Sequence, residues 1–270
     1  MAALTQAEAE RFRALLEPIV RGAGDHLLES LGSVPEAEVE RKGAIDLVTR
    51  FDREAQARVL EGLAAAFPGE ATQAEEGDVG APGPGPVWLV DPLDGTTNYV
   101  HGLPIFAVSV ARVHAGRPET GMIYAPALRE LFWSAAGCGA YLNGRRLRVS
   151  SRGVLADALL ATGFPYDVRS NPHNNLREWA HLAVRCRGLR RAGAASLDLA
   201  YVAAGRYDGY WEFRLKPWDV AAGMLMVLEA GGQVSEPHGG EATLRTGDVV
   251  ATNGRLHAAL RAELQRARGA

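Results

Sequence analysis

The stretch PVWLVDPLDGTTNYVHG, Pro86 to Gly102, decides how this chain is read. Val87 to Val90 form the apolar run of a buried strand. That run meets two aspartates three positions apart, Asp91 and Asp94, split by Pro92 and closed by Gly95. Charge at the end of a buried strand is costly unless something opposes it. Pro92 is expected to bend the chain out of the strand, and Gly95 permits a backbone shape that other residues resist. Thr96 and Thr97 then begin a helix whose unpaired N–H groups form a cradle for phosphate. Carboxylates beside a phosphate need divalent cations between them, the arrangement of two-metal phosphoryl chemistry. The Leu93 carbonyl would add a hard oxygen ligand. Taken singly, each aspartate also fits an Asx turn or a helix N-cap.

Upstream, Thr5-Gln6-Ala7-Glu8 fits a capping box, followed by a helical apolar period through Phe12, Leu15, Leu16, Ile19 and Val20. Pro18 and the Gly22/Gly24 pair are expected to kink or split that helix. AIDLVTRFD (44–52) reads as extended, REAQARVLEGLAAAF (53–67) as a second amphipathic helix, and GAPGPGP (80–86) as a loop. Downstream to Val149 come strands and turns, including an Asn143-Gly144 turn, which predicts an antiparallel meander. Beyond Ser150, strands such as ALLATGF (158–164) and YDGYWEF (207–213) alternate with helices such as NNLREWAHLAVRC (174–186), SLDLAYVAAG (196–205) and DVAAGMLMVLEAGG (219–232). The second half is a layered α/β unit.

With 270 residues, 47% hydrophobic and 23% charged, the chain can bury a large core and is not disordered. A net charge of −3 leaves no broad footprint for nucleic acid or anionic membrane. Cys138 and Cys186 lack C-x-x-C spacing, which excludes a zinc knuckle or disulfide framework. No apolar run approaches a membrane span, and the acidic N-terminus MAALTQAEAE is unlike a signal peptide, so a cytoplasmic location is expected.

Three further acidic clusters stand out: Asp46 with Asp52, Glu75 with Glu76, and Glu212 with Asp219. Asp52 and Asp219 each precede a helix, so an N-cap reading stands beside a functional one. Adjacent glutamates are usually a solvated pair. None of the seven histidines shows H-E-x-x-H spacing, and His101 reads as a loop or rim residue. GDVGAPGPG (77–85) lacks the Lys-Ser/Thr of a P-loop and reads as a flap. Trp88, Trp211 and Trp218 read as packing beside the site, and Arg190-Arg191 as an exposed basic pair that assists phosphate or a dimer contact in the alternative.

Together, AIDLVTRFD, AEEGD, WLVDPLDGTTNYVHGLP and WEFRLKPWDVAAG resemble the inositol monophosphatase family of lithium-sensitive, magnesium-dependent phosphatases, in order and over nearly the whole chain. The resemblance implies an α+β to α/β fold, a layered αβαβα sandwich. Residues 1–149 would be an N-terminal half carrying most metal ligands, and residues 150–270 a C-terminal half completing the active site. It implies two to three magnesium ions, held by Glu75, Asp91 and the Leu93 carbonyl, and by Asp91, Asp94 and Asp219. Thr96, paired with Asp52, would orient the attacking water; Glu75 and Asp219 would also serve catalysis, with Lys42, Asp46 and Glu76 in support. Asp94, Gly95, Thr96, Gly193, Ala194, Ala195, Glu212 and Asp219 would meet the substrate. Where some relatives have a hydroxyl residue, this chain has Ala194, which offers only backbone groups.

The resemblance thus implies hydrolysis of inositol 1-phosphate or a similar polyol phosphate by in-line attack of a metal-activated water, in a homodimer. Sibling activities on fructose 1,6-bisphosphate, histidinol phosphate or a 3′-phosphonucleotide share the same metal chemistry. A regulatory protein with a dead site, and a two-carboxylate glycosidase, are the readings from other classes.

Overall fold

The computed structural model describes residues 3–35, 37, 39–43, 47–77 and 85–269. Asp46 and residues 78–84 of the expected flap lie outside the described residues. Helix α1 (Gln6–Glu29) opens on the expected capping box, with Thr5 accepting from Glu8 N at 3.3 Å and the Glu8 carboxylate accepting from Thr5 N at 2.8 Å. It runs unbroken, so neither Pro18 nor the glycines split it. Gly24 serves close packing instead: a Cβ there would lie 2.5 Å from Tyr124 Cδ1. The missing side chain lets α1 settle onto the sheet below.

Strands β1 (Val39–Arg41) and β2 (Leu47–Thr49) form a small antiparallel pair leading into α2 (Arg50–Ala66). A seven-stranded sheet follows in chain order. Strand β3 (Ala71–Ala74) lies parallel to β4 (Val87–Asp94), and after the short helix α3 (Thr96–Val100) come β5 (Ala107–His114), β6 (Arg117–Ala125), β7 (Glu130–Ala135), β8 (Gly139–Leu142) and β9 (Arg145–Arg146). From β4 to β9 every neighbour is antiparallel, the expected meander. Asn143 and Gly144 turn the last hairpin with φ of 47° and 79°, as a two-residue turn of matching twist requires.

The remaining elements are β10 (Leu159–Thr162), α4 (Leu176–Ala183), β11 (Gly188–Arg190), α5 (Ala195–Ala203), β12 (Gly209–Glu212), α6 (Pro217–Glu229), β13 (Gln233–Ser235), β14 (Val249–Thr252) and α7 (His257–Gly269). Their sheet has the order β11-β10-β12-β14-β13, with β10 parallel to both neighbours and the other pairs antiparallel.

Buried side chains divide these elements into five layers. Leu16 and Val20 of α1 and Val59 of α2 pack on Trp88, Val90 and Val108 of the large sheet. Its other face, through Leu89 and Ile123, packs on Leu197 of α5 and Val220 of α6, which meet Tyr210 and Val249 of the small sheet. On the far side Leu160, Trp211 and Val250 meet Leu182 of α4 and Leu260 of α7. The result is the expected αβαβα sandwich. Small residues keep the middle layer thin: a Cβ on Gly223 would come 2.4 Å from Leu199 Cβ, and one on Gly121 2.8 Å from Ala222 Cα.

Two tryptophans were expected beside the site and are not. Trp88 lies between α1/α2 and the large sheet and Trp211 in the outer core, each fully buried, while Trp218 does line the cleft described below. Among the described residues, no helix is long and apolar enough to cross a membrane.

Candidate active site

The cleft is built around an irregularity in β4. The strand does not end at Pro92, as its residue type suggested; it continues to Asp94. Asp91 pairs with Ser109 and Asp94 with Ala107, so three steps along β4 match two along β5. The extra residue is a β-bulge, where a proline without a donor is tolerated. Its effect on side-chain direction is visible in the packing: Leu89 faces α5 and α6, whereas Leu93 faces α1 and α2. Residues three apart in a regular strand point to opposite faces. Here both aspartates are turned to the α5/α6 side. Leu93 N closes the bulge by donating to Asp91 Oδ1 at 3.0 Å.

Gly95 follows with φ of 91°, and a Cβ on it would lie 2.9 Å from Ile105 O and 3.2 Å from Gly193 O. Only glycine suits this position. The contact brings residues 193–195 against the signature loop, and Asn98 fastens them there by donating from Nδ2 to Ile105 O at 2.7 Å and Ala192 O at 2.8 Å.

A cleft of ≈ 280 Å³ opens at this junction, and Glu75, Asp91, Leu93, Asp94 and Asp219 all line it. So do Gly95, Thr96, Gly193, Ala194, Ala195 and Glu212. Glu76 is not among the lining residues, and Asp52 likewise stands behind the wall, where its Oδ1 accepts from Thr96 Oγ1 at 3.1 Å. The same hydroxyl lies 3.0 Å from Leu93 O.

Asp52 and Asp219 are not N-caps. Both are the third helical residue, reaching back to the cap. Asp52 Oδ2 accepts from Thr49 N at 2.8 Å and Thr49 Oγ1 at 2.6 Å, which leaves Oδ1 for Thr96. Asp219 Oδ2 accepts from Lys216 N at 2.7 Å at the start of α6. Asp94 accepts from Ala195 N at 3.2 Å, Ser196 N at 2.8 Å and Ser196 Oγ at 2.5 Å, joining β4 to the start of α5.

Glu75 extends β3, its N–H donating to Val90 O at 3.1 Å. Lys42 Nζ lies 3.5 Å from Glu75 Oε1 and pairs with Glu76, whose backbone is held by Gln56 through Glu76 N to Gln56 Oε1 at 2.9 Å. Glu212, at the end of β12, accepts from the Tyr210 hydroxyl at 2.5 Å. A Cβ on Gly163 would stand 2.1 Å from Glu212 Oε2, so this carboxylate occupies the space of a missing side chain. Ser196, Tyr210, Gly163 and Gln56 were missed from sequence. Ser196 alone carried a signal, a hydroxyl residue at a helix start.

Burial is the first cause of every carboxyl shift here. It holds Asp91 well above the ordinary carboxylate range, reinforced by the charges of Glu75, Asp94 and Asp219. Asp219 is likewise raised well above that range, against the opposing Lys216 N–H. Asp94 rises to about 6 despite its N–H donors, Asp52 to about 6 and Glu212 to about 7. Among the described residues, no three His, Cys, Asp or Glu side chains form a ready-made ion cage. Serine, lysine and backbone donors hold several of the carboxylates instead. The donor set is nonetheless one of carboxylates and a carbonyl, without sulfur or imidazole, and it carries more negative charge than Lys42 balances. That chemistry fits hard dications such as magnesium.

Comparison with known proteins points the same way. Residues 8–269 match the model of the inositol monophosphatase family. The chain is 46% identical over 252 residues to Nus factor SuhB of Pseudomonas aeruginosa, covering 91% of this chain and 92% of that one. It is 44% identical over 258 residues to the inositol-1-monophosphatase of Rhizobium meliloti, covering 94% and 97%. An inositol monophosphatase structure from Anabaena superimposes with a TM-score of 0.87 at 40% identity, covering 96% of this chain and 97% of that one.

Proposed function

Because the chain belongs to the inositol monophosphatase family, we propose that it is a magnesium-dependent phosphomonoesterase that hydrolyses inositol 1-phosphate or a similar polyol phosphate. The observation that carries this reading is the convergence of Glu75, Asp91, Asp94 and Asp219 on one cleft beside the Thr96–Asp52 pair. Glu75, Asp91, the Leu93 carbonyl, Asp94 and Asp219 would hold two to three magnesium ions. Bound there, dications supply charge neutralisation at phosphorus and the leaving oxygen, and activation of water.

The chain's own groups do the rest. Thr96 has one hydroxyl proton; directed to Asp52, it leaves the oxygen lone pairs to accept from an attacking water and fix its line of approach. Asp52 is buried and anchored by Thr49, so its Oδ1 is a fixed acceptor for that hydroxyl. The start of α5 positions Asp94 through three hydrogen bonds. Glu212, set in the niche at Gly163, faces the cleft as an acceptor for a substrate hydroxyl. A water held by Asp219 at the head of α6 would deliver the proton to the departing alkoxide.

The test is phosphate release from a panel of esters with magnesium: inositol 1-phosphate, fructose 1,6-bisphosphate, histidinol phosphate and a 3′-phosphonucleotide. Turnover of none of them would falsify the enzymatic reading. A second reading is favoured by the 46% identity to Nus factor SuhB, a role of the kind that name states. Asp94→Asn separates the two, since a Nus-type role survives loss of turnover and a phosphatase role does not.

A further inference from the structure

The Glu212 end of the cleft is held from behind. Strands β10 and β12 run parallel with Thr162 opposite Trp211, and the residues that follow, Gly163 and Glu212, form the niche and the carboxylate that fills it. Glu212 is still paired, with Val249 of β14, but Gly163 lies past the last paired residue of β10. Its carbonyl is caught instead by Asn175, at the head of α4 on the outer side of the small sheet. Asn175 is 1% exposed and holds φ of 69°, a left-handed shape that asparagine tolerates better than most residues. Its Nδ2 donates to Gly163 O at 2.6 Å and to Thr162 Oγ1 at 2.7 Å, and its Oδ1 accepts from Trp211 Nε1 at 2.7 Å. The Thr162 hydroxyl donates in turn to Trp211 O at 2.5 Å, which closes a ring across the two strand ends. An indole nitrogen only donates and a backbone carbonyl only accepts, so the amide has one orientation and both of its protons are used. A buried network satisfied in this way fixes geometry. Capping does not explain it: α4 starts on the backbone bond from Trp179 N to Asn175 O at 2.9 Å, and the Asn175 side chain makes no capping bond.

We propose that Asn175 is a positioning residue for substrate recognition, fixing Gly163 against Trp211 so that the Glu212 carboxylate has a single seat from which to meet a substrate hydroxyl. This rests on the phosphomonoesterase reading, with Glu212 as the hydroxyl acceptor. The acids at the other end of the cleft stand on β4 and α6 and just beyond β3, outside the ring. Loosening the ring therefore weakens the hold on a polyol without disturbing the groups around phosphorus.

The experiment compares wild-type protein with Asn175→Asp, which keeps the size, the left-handed backbone and the acceptor for Trp211 but removes both amide protons. Thr162→Val opens the ring at another corner and carries the same comparison if Asn175→Asp does not fold. Steady-state kcat and KM are measured with magnesium for inositol 1-phosphate and for phenyl phosphate, which has no hydroxyl to offer Glu212. Calorimetry with the methylenephosphonate analogues of both gives affinity without turnover. Each variant should raise KM for inositol 1-phosphate about fivefold or more, the scale of one hydrogen bond to a charged group, with kcat within about twofold and a much smaller loss for phenyl phosphate. In a Glu212→Ala background the same substitutions should cost less than about twofold, because the carboxylate they position is gone. Equal losses for the two esters, a loss carried by kcat, or an undiminished loss in the Glu212→Ala background makes Asn175 a support of the fold alone and overturns the proposal while hydrolysis stands. Absence of all hydrolysis overturns the phosphatase reading, and the analogue affinities then decide the clamp: a loss confined to the polyol analogue upholds it, and equal losses overturn it.

Discussion

Thr96 Oγ1 lies 3.1 Å from Asp52 Oδ1, a hydrogen bond spanning 44 residues of sequence that links the start of α3 to the first turn of α2. The Leu93 carbonyl, 3.0 Å from the same oxygen, competes for its single proton. Which acceptor prevails decides whether the hydroxyl's lone pairs face the cleft.

Thr96→Ala should therefore lower kcat by about a hundredfold, the scale of one positioned proton-transfer partner, with a much smaller change in KM. Steady-state kinetics on inositol 1-phosphate checks this. A change confined to KM would show that Thr96 only binds.

Asp94→Asn keeps the shape of the side chain but exchanges an anionic oxygen for an amide, which meets the N–H groups of Ala195 and Ser196 as one donor against others. Turnover should nearly vanish and dication affinity should drop, read by calorimetry with magnesium alone. Near-normal kcat contradicts the assignment of this oxygen to a dication.

Gly163→Ala places a methyl where the Glu212 carboxylate now sits. Overpacking of this kind costs about 1–3 kcal/mol, and it should displace Glu212 as well. The expected pair of results is a lower thermal midpoint together with a raised KM for polyol phosphates. An unchanged KM removes Glu212 from substrate recognition.

Asp52 has its carboxyl raised from an ordinary 3.8 to about 6, chiefly by burial. The folded state thus holds this proton more tightly than the unfolded state. Its support for folding is complete below about pH 4 and fades as pH rises through about 6. Asp52→Asn removes that dependence but leaves one acceptor oxygen where Thr49 and Thr96 now use two. Urea denaturation in chelator should show the stability of Asp52→Asn, relative to wild type, improving between about pH 4 and pH 7. A relative stability that declines over this range means that the buried carboxylate is favoured by its donors.

Much of the site was legible because its chemistry is written in short strings: Asp91, Asp94, Gly95 and Thr96 are neighbours in sequence, and the structure keeps them neighbours. What escaped depended on contacts across the chain. Gly163 is unremarkable until Glu212 is packed against it, and Ser196 gains a role only when Asn98 and Gly95 draw α5 onto β4. Local signals also misled. Asp52 and Asp219 have the composition of caps, yet Thr49 and Lys216 occupy those positions, because an acid three residues inside can serve a cap and face a cleft together. Strands β1 and β13 were missed, being three residues each and too short for periodicity to register. Pro18 failed to split α1, whose burial against α2 and the large sheet outweighs the lost donor.

The bulge in β4 means that the spacing of the two signature aspartates is counted, not merely chosen. A β4 of the same length that kept simple alternation through Pro92 would reverse the orientation of everything after it. Asp94 would then swing toward Phe51 and Tyr99, into the oil on the opposite side of the sheet. A strand of the same length without the bulge would keep both acids and lose their meeting place.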